Sequence, residues 1–248
     1  MICSALLGIV ASAVTELTRS GQLEALKMRP ASAALLLVLA LVLPMSLLVP
    51  AAAQDGLIGA AERGETLVVR RLLAEGAQVN TRDVRGRTAL LAATHRNHVD
   101  IARMLINEGA DVDAKDVMQD SPFLLAGAEG RTEILKLIVA AGPDLKSTNR
   151  FGGTALIPAC HHGHVEAVKV LLATAIDKDH VNNLGWTALM EAVVLGDGGA
   201  RHAEIVRLLV AAGADPNIPD RDGITALSHA RQRGYHGIVD ILQTAGAR

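Results

Sequence analysis

Cysteine is almost missing from this chain: the sequence holds two, at Cys3 and Cys160. Cys3 lies in a front segment that reads as a removable leader. Cys160 is then the sole thiol of the mature chain, which excludes an intramolecular disulfide. An excess of one charge is missing too. The 24 Lys and Arg stand against 26 Asp and Glu, a formal net charge of −2, so there is no electrostatic footprint for nucleic acid. No glycine-rich phosphate loop follows a strand, and no paired carboxylates mark an isolated pocket. Aromatic rings are scarce, with one Trp, one Tyr and two Phe in 248 residues, so the place of each one carries weight.

What the chain does have is a period. Thr88, Ser121, Thr154, Thr187 and Thr225 sit in the blocks Arg87-Thr-Ala-Leu90, Asp120-Ser-Pro-Phe123, Gly153-Thr-Ala-Leu156, Trp186-Thr-Ala-Leu189 and Ile224-Thr-Ala-Leu227, spaced by 33, 33, 33 and 38 residues. A fixed period of this size means a stack of similar units in place of one globular core. Such a stack usually works by presenting a surface. The unit over 85–116 shows what repeats. Gly86 opens a turn, and Thr88 is placed to cap a helix by accepting a bond from a free helical N–H. Ala89 to His95 reads as a short helix broken at Asn97, and a second helix is expected from Val99 to Asn107. Gly109 follows in the left-handed position that ends helices. In the second helices Ile101, Ala102 and Leu105 recur as Ile134, Leu135 and Ile138, as Ala167, Val168 and Leu171, as Ile205, Val206 and Leu209, and as Ile238, Val239 and Leu242. This spacing puts one apolar stripe on each helix. An earlier unit has Val68, Val69 and Leu72 in the same register but lacks the Thr turn, so it reads as an N-terminal cap. The last unit stops at Arg248 as a C-terminal cap would.

The repeat resembles the ankyrin repeat. Gly86-Arg-Thr-Ala-Leu-Leu91 and Gly223-Ile-Thr-Ala-Leu-Ser228 match that family's turn-and-first-helix run, and Gly163-His-Val-Glu-Ala-Val-Lys-Val-Leu-Leu172 and Gly213-Ala-Asp-Pro-Asn217 match its later stretches. The resemblance covers residues 55–248 and implies an all-α solenoid of about six helix-turn-helix units, at about 55–83, 84–116, 117–149, 150–182, 183–220 and 221–248, called repeats 1 to 6 below. It departs from the family in the first helix, where Leu91, Leu124, Ile157, Met190 and Ser228 replace a histidine that usually bonds between repeats. Ala175 stands where Gly109 and Gly213 stand, so a glycine there is expected to stabilise the helix end. Five extra residues, 197–201, lengthen repeat 5, and their two glycines suggest a mobile loop.

Residues 1–53 do not repeat. Ala31 to Val49 is a run of 19 uncharged residues after Arg29, followed by Pro50 and three alanines. A basic start, an apolar run and small residues make a secretory leader, with cleavage expected between Ala53 and Gln54 and translation expected to start at Met28. The alternative is a retained membrane anchor, since 19 apolar residues can span a bilayer. The leader accounts for the positive mean hydropathy of +0.30. It points to a periplasmic or secreted protein, and the anchor to an exported domain held at the inner membrane.

The expected function is non-enzymatic: binding of another protein, with no cofactor, metal or nucleic acid. In the resembled family the turn tips and the exposed face of the first helix line a concave surface. Matching positions here are Arg85, Arg87, His95 and Arg96 in repeat 2, Met118 in repeat 3, Phe151, His161 and His162 in repeat 4, and Leu184 and Trp186 in repeat 5. Trp with flanking Arg is the composition of an interface hot spot, and the alternative is that the rings pack against a neighbouring turn. An enzyme or metal protein using His95, His161 and His162 is the rival reading, and His161, His162 and His164 beside Cys160 raise a Cys/His nucleophile. Adjacent residues on a helix do not face each other, so Cys160 and His161 make a poor dyad, and His164 reads as structural. Asp111, Asp113 and Asp116 lack the glycine and terminal Glu of a calcium loop, and turn chemistry accounts for them better.

Overall fold

The computed structural model describes residues 51–248. The apolar run 31–49 and Met28 lie outside the described residues, while Ala53 and Gln54 fall within the first helix. Among the described residues there are twelve α-helices and no strand. They pair as α1 (Ala51–Arg63) with α2 (Thr66–Ala74), α3 (Ala89–His95) with α4 (Val99–Asn107), α5 (Pro122–Ala128) with α6 (Thr132–Ala140), α7 (Leu156–His161) with α8 (Val165–Leu172), α9 (Ala188–Val194) with α10 (Ala200–Ala211), and α11 (Ala226–Gln232) with α12 (His236–Thr244). First helices pack on first helices and second on second, so among the described residues each unit packs chiefly on its neighbours. Helices of 6 to 13 residues are marginal alone in water. Stacking supplies their stability. The stripes of α4, α6, α8 and α10 are wholly buried. At the two ends only Val69 of α2 and Ile238 and Leu242 of α12 are, where, among the described residues, a single neighbouring repeat packs against each unit.

The turns show why the sequence chooses this geometry. Asp83, Asp116, Asn149, Asn182 and Asp220 each accept, on Oδ1, the backbone N–H groups two and four residues ahead, at 2.8–3.0 Å. A second ladder joins the repeats: the side chains of Asn80, Asp113, Asp179 and Asn217 accept backbone N–H from Asp111, Asp144, Asp215 and Arg248 at 2.7–2.9 Å. Short polar side chains that mimic backbone turns explain the recurrent acids. The bonds missing from the first helices are made from the start of the second. His98 Nε2 lies 3.2 Å from the Glu62 carbonyl, His202 Nε2 lies 2.9 Å from the His161 carbonyl, and Arg131 donates to the His95 carbonyl at 3.2 Å.

Thr88, Ser121, Thr187 and Thr225 cap their helices as the sequence predicts, each accepting the N–H three residues on. Thr154 does not. Proline has no N–H, so Pro158 cannot donate to the Thr154 carbonyl as its counterparts Ala92, Leu125, Glu191 and His229 donate to theirs. Ile157 N–H takes that carbonyl at 3.2 Å, the helix starts late at Leu156, and the buried Thr154 hydroxyl is left without a partner. Pro158→Ala is therefore expected to restore the cap and one helical bond. Offset by the entropy an extra non-proline residue gives the unfolded chain, the net gain is about 1 kcal/mol. A denaturant midpoint at or below the wild-type value would show that Thr154 is held away from Ile157 by something other than the proline.

Two expectations are corrected here. Ala175 does not enter the left-handed region: among the described residues only Asn97 and Gln119 do so without being glycine. Helix α8 ends earlier. The Thr174 hydroxyl donates to the Leu171 carbonyl at 2.6 Å and accepts Ile176 N–H at 3.2 Å, so it replaces the glycine motif and a glycine at 175 has nothing to relieve. The insertion in repeat 5 is not a slack loop either. Ala200 and Arg201 open α10, Asp197 Oδ1 lies 2.7 Å from His202 Nδ1, and the Tyr235 hydroxyl donates to the Gly196 carbonyl at 3.1 Å. Gly198 sits at φ +69°, where a Cβ would fall 2.3 Å from the Tyr235 ring, so this glycine serves close packing.

Candidate interaction groove

The first helices and turn tips of repeats 3 to 5 enclose a groove of about 430 Å³. It is lined by the turn residues Asp120, Arg150, Phe151 and Leu184 and, from the first helices and their C-caps, by Glu129, Pro158, His161, His162, Glu191 and Leu195. Among the sequence-predicted residues the structure thus brings together Phe151, His161, His162 and Leu184. Phe151 is 52% exposed and Leu184 49%. The guanidinium of Arg150 lies 4.7 Å over the Phe151 ring, and the His161 and His162 rings stack at 4.3 Å.

The other six do not line it. Arg87 is half-buried and spent on structure, 2.8 Å from Asp83 and 3.4 Å from Glu62. Arg96 lies 3.4 Å from Glu62 as well. His95 is exposed and faces Glu129 at 3.8 Å. Arg85 is exposed, and its carbonyl accepts Val117 N–H at 3.0 Å. Met118 is an exposed turn tip. Trp186 is half-buried and packs against the core.

The residue that sequence reasoning missed is Glu191. It lies in α9 with 8% of its side chain exposed, its Oε1 accepts the Asn182 amide at 2.8 Å, and its Oε2 is 3.7 Å from His161 Nδ1. Burial raises the Glu191 carboxyl above the usual range, against the bond from Asn182. Asp120 is raised by burial and then by the neighbouring Asp116 and Glu129 carboxylates, although Arg150 stands 3.6 Å away. Burial lowers His161, helped by His162 and His202. The signal available in the sequence was an acid in a row otherwise held by Ala92, Leu125, Pro158 and His229.

Cys160 is fully buried in α7, and burial raises its thiol well above the ordinary value, so it presents no thiolate. Among the described residues no group of three or more His, Cys, Asp or Glu side chains is placed to hold a metal ion. No helix among them is long and apolar enough to cross a membrane.

The comparisons with known proteins decide the family. The profile for ankyrin repeats in three copies matches residues 45–116 and 123–220. The chain belongs to the ankyrin-repeat family. A crystal structure of an ankyrin repeat domain from Acinetobacter baumannii AYE shares 51% identity with it at a TM-score of 0.76, over 78% of this chain and 99% of that one. The ankyrin repeat protein EF0377 shares 44% identity at a TM-score of 0.74, over 77% of this chain and 97% of that one. The ankyrin repeat protein YahD of Escherichia coli (strain K12) is 47% identical over 57 residues, 23% of this chain and 28% of that protein. Ankyrin repeats are protein–protein interaction modules, and the fold is typically non-enzymatic.

Proposed function

We propose that this ankyrin-repeat chain is an exported, non-enzymatic module that binds a partner protein through its turn tips and the groove of repeats 3 to 5. The observation that carries the reading is where the exposed apolar side chains sit. Of the eight large ones exposed among the described residues, five are turn tips of repeats 2 to 5: Val84, Val117, Met118, Phe151 and Leu184; a sixth, Leu195, lines the groove. Apolar side chains gathered along one edge mark an interaction site, whereas scattered ones need no explanation. Export rests on the leader pattern of residues 28–53. The uncharged run 31–49 also supports a second reading, a scaffold held at the inner membrane with its repeats exported.

The double variant Phe151→Asp, Leu184→Asp is expected to keep the wild-type melting temperature, because both side chains are already in water, and to lose the partner by at least about tenfold in affinity. Affinity capture from the native extract with wild-type and variant chains reads this, and undiminished capture by the variant rejects the groove. N-terminal sequencing of the chain in its native host is expected to begin at Gln54. A start at Met28 or Met1 replaces the secreted reading with the anchored one.

A further inference from the structure

The stack does not require a carboxylate at Glu191, since the equivalent positions hold Ala92, Leu125, Pro158 and His229. A carboxylate with 8% of its side chain exposed is costly to keep unless it is paired. Within the protein only one of its two oxygens is bonded, and the other keeps some contact with solvent. Oε1 takes the Asn182 amide at 2.8 Å. Oε2 has no hydrogen-bond partner among the described residues, with His161 Nδ1 at 3.7 Å, beyond bonding reach. His161 does not supply the missing charge, because burial favours its neutral ring. The charges around the groove point the same way. Of the three carboxylates that line it, Asp120 has Arg150 at 3.6 Å and Glu129 has Arg131 at 3.0 Å, which leaves Glu191 as the lining carboxylate without a full cation beside it.

We propose that the groove seats an arginine side chain from an extended segment of a partner protein, its guanidinium bonding to Glu191 Oε2 and its stem lying between Phe151 and Leu184. A carboxylate held in a low-dielectric site at a cost to stability is repaid when a partner brings the opposite charge with hydrogen bonds. A guanidinium suits the site better than an ammonium. It is planar, stacks on rings such as Phe151 and His162, and gives up its hydration more readily. This assignment rests on the interaction-module reading and specifies what that module recognises.

The probe is the peptide acetyl-Ala-Leu-Arg-Leu-Ala-amide, compared with the same peptide carrying citrulline, which keeps the shape and loses the charge. Titrated into the full-length chain and followed by the imidazole resonances of His161 and His162, the arginine peptide is expected to bind about tenfold tighter or more than the citrulline peptide. Glu191→Gln is expected to abolish that preference. It should also melt no lower than wild type, since an amide can keep the bond from Asn182 and is cheaper to bury than a carboxylate. Equal affinity for the two peptides, or a preference that survives Glu191→Gln, overturns the proposal. If wild type and Glu191→Gln capture the same native partner equally well, the interaction module stands and the arginine site falls. If the arginine peptide binds selectively but no native protein is captured by any form, the site stands and the interaction module falls.

Discussion

Phe123→Ala is expected to be the most damaging single truncation in the stack, costing about 3–5 kcal/mol. Phe123 is wholly buried in α5, at the place held by Leu90, Leu156, Leu189 and Leu227 in the other repeats. Its backbone N–H donates to the Val112 carbonyl at 3.0 Å, so the residue ties repeat 3 to the loop before it. Alanine leaves a void that short helices pinned on both sides cannot close. Repeat 3 lies near the middle, and in a linear array each unit is held by its two neighbours. Its loss should therefore lower the denaturant midpoint and broaden the transition, as the two halves begin to unfold separately. The control is Phe151→Ala, which removes the same ring from an exposed turn tip and should stay within about 0.5 kcal/mol of wild type. A midpoint for Phe123→Ala as high as that of the control would show that α5 repacks and that the central unit is not a fixed element of the stack.

The contrast between these two rings shows how far the sequence can be read. Everything set by spacing within one unit was legible. The bounds of α3 and α4, the hydroxyl caps at Thr88, Ser121, Thr187 and Thr225, and the buried stripes of the second helices follow from periodicity and local capping chemistry. What failed depends on atoms outside the single repeat pattern. Thr154 looks like its four counterparts, yet a proline four residues on takes away the donor that organises its turn. Ala175 looks like a misplaced glycine until the Thr174 hydroxyl is seen to do the glycine's work. The insertion in repeat 5 reads as loose from its two glycines, and it is fixed by His202 and Tyr235, both outside the loop itself. In the groove, Phe151, His161, His162 and Leu184 were legible because they vary at exposed positions. Glu191 was not, because the groups it faces, Asn182 and His161, lie outside its own helix.

Trp186→Ala is the second large effect, and its sign separates packing from recognition. On composition alone the indole is a candidate binding anchor, being the chain's single Trp and set in a turn at a position that also accepts Arg87, Asp120, Gly153 and Ile224. The structure gives it other work. Trp186 is half-buried against the core, its backbone N–H donates to Asn182 Oδ1 at 3.0 Å, and its backbone carbonyl accepts Asn182 N–H at 3.0 Å. The backbone that holds it is therefore the same turn that orients the Asn182 amide toward Glu191. Removing a half-buried indole should cost about 2 kcal/mol, below the range for a fully buried one. In a domain of this size that lowers the melting temperature by about 4–8 °C. Capture of the partner should persist in the folded fraction, because Phe151, Leu184 and Glu191 remain. Thermal melts followed by circular dichroism, run beside the capture assay, decide the matter. A variant that melts like wild type and no longer holds the partner makes Trp186 the anchor, and the binding surface then extends past the groove onto the turn of repeat 5.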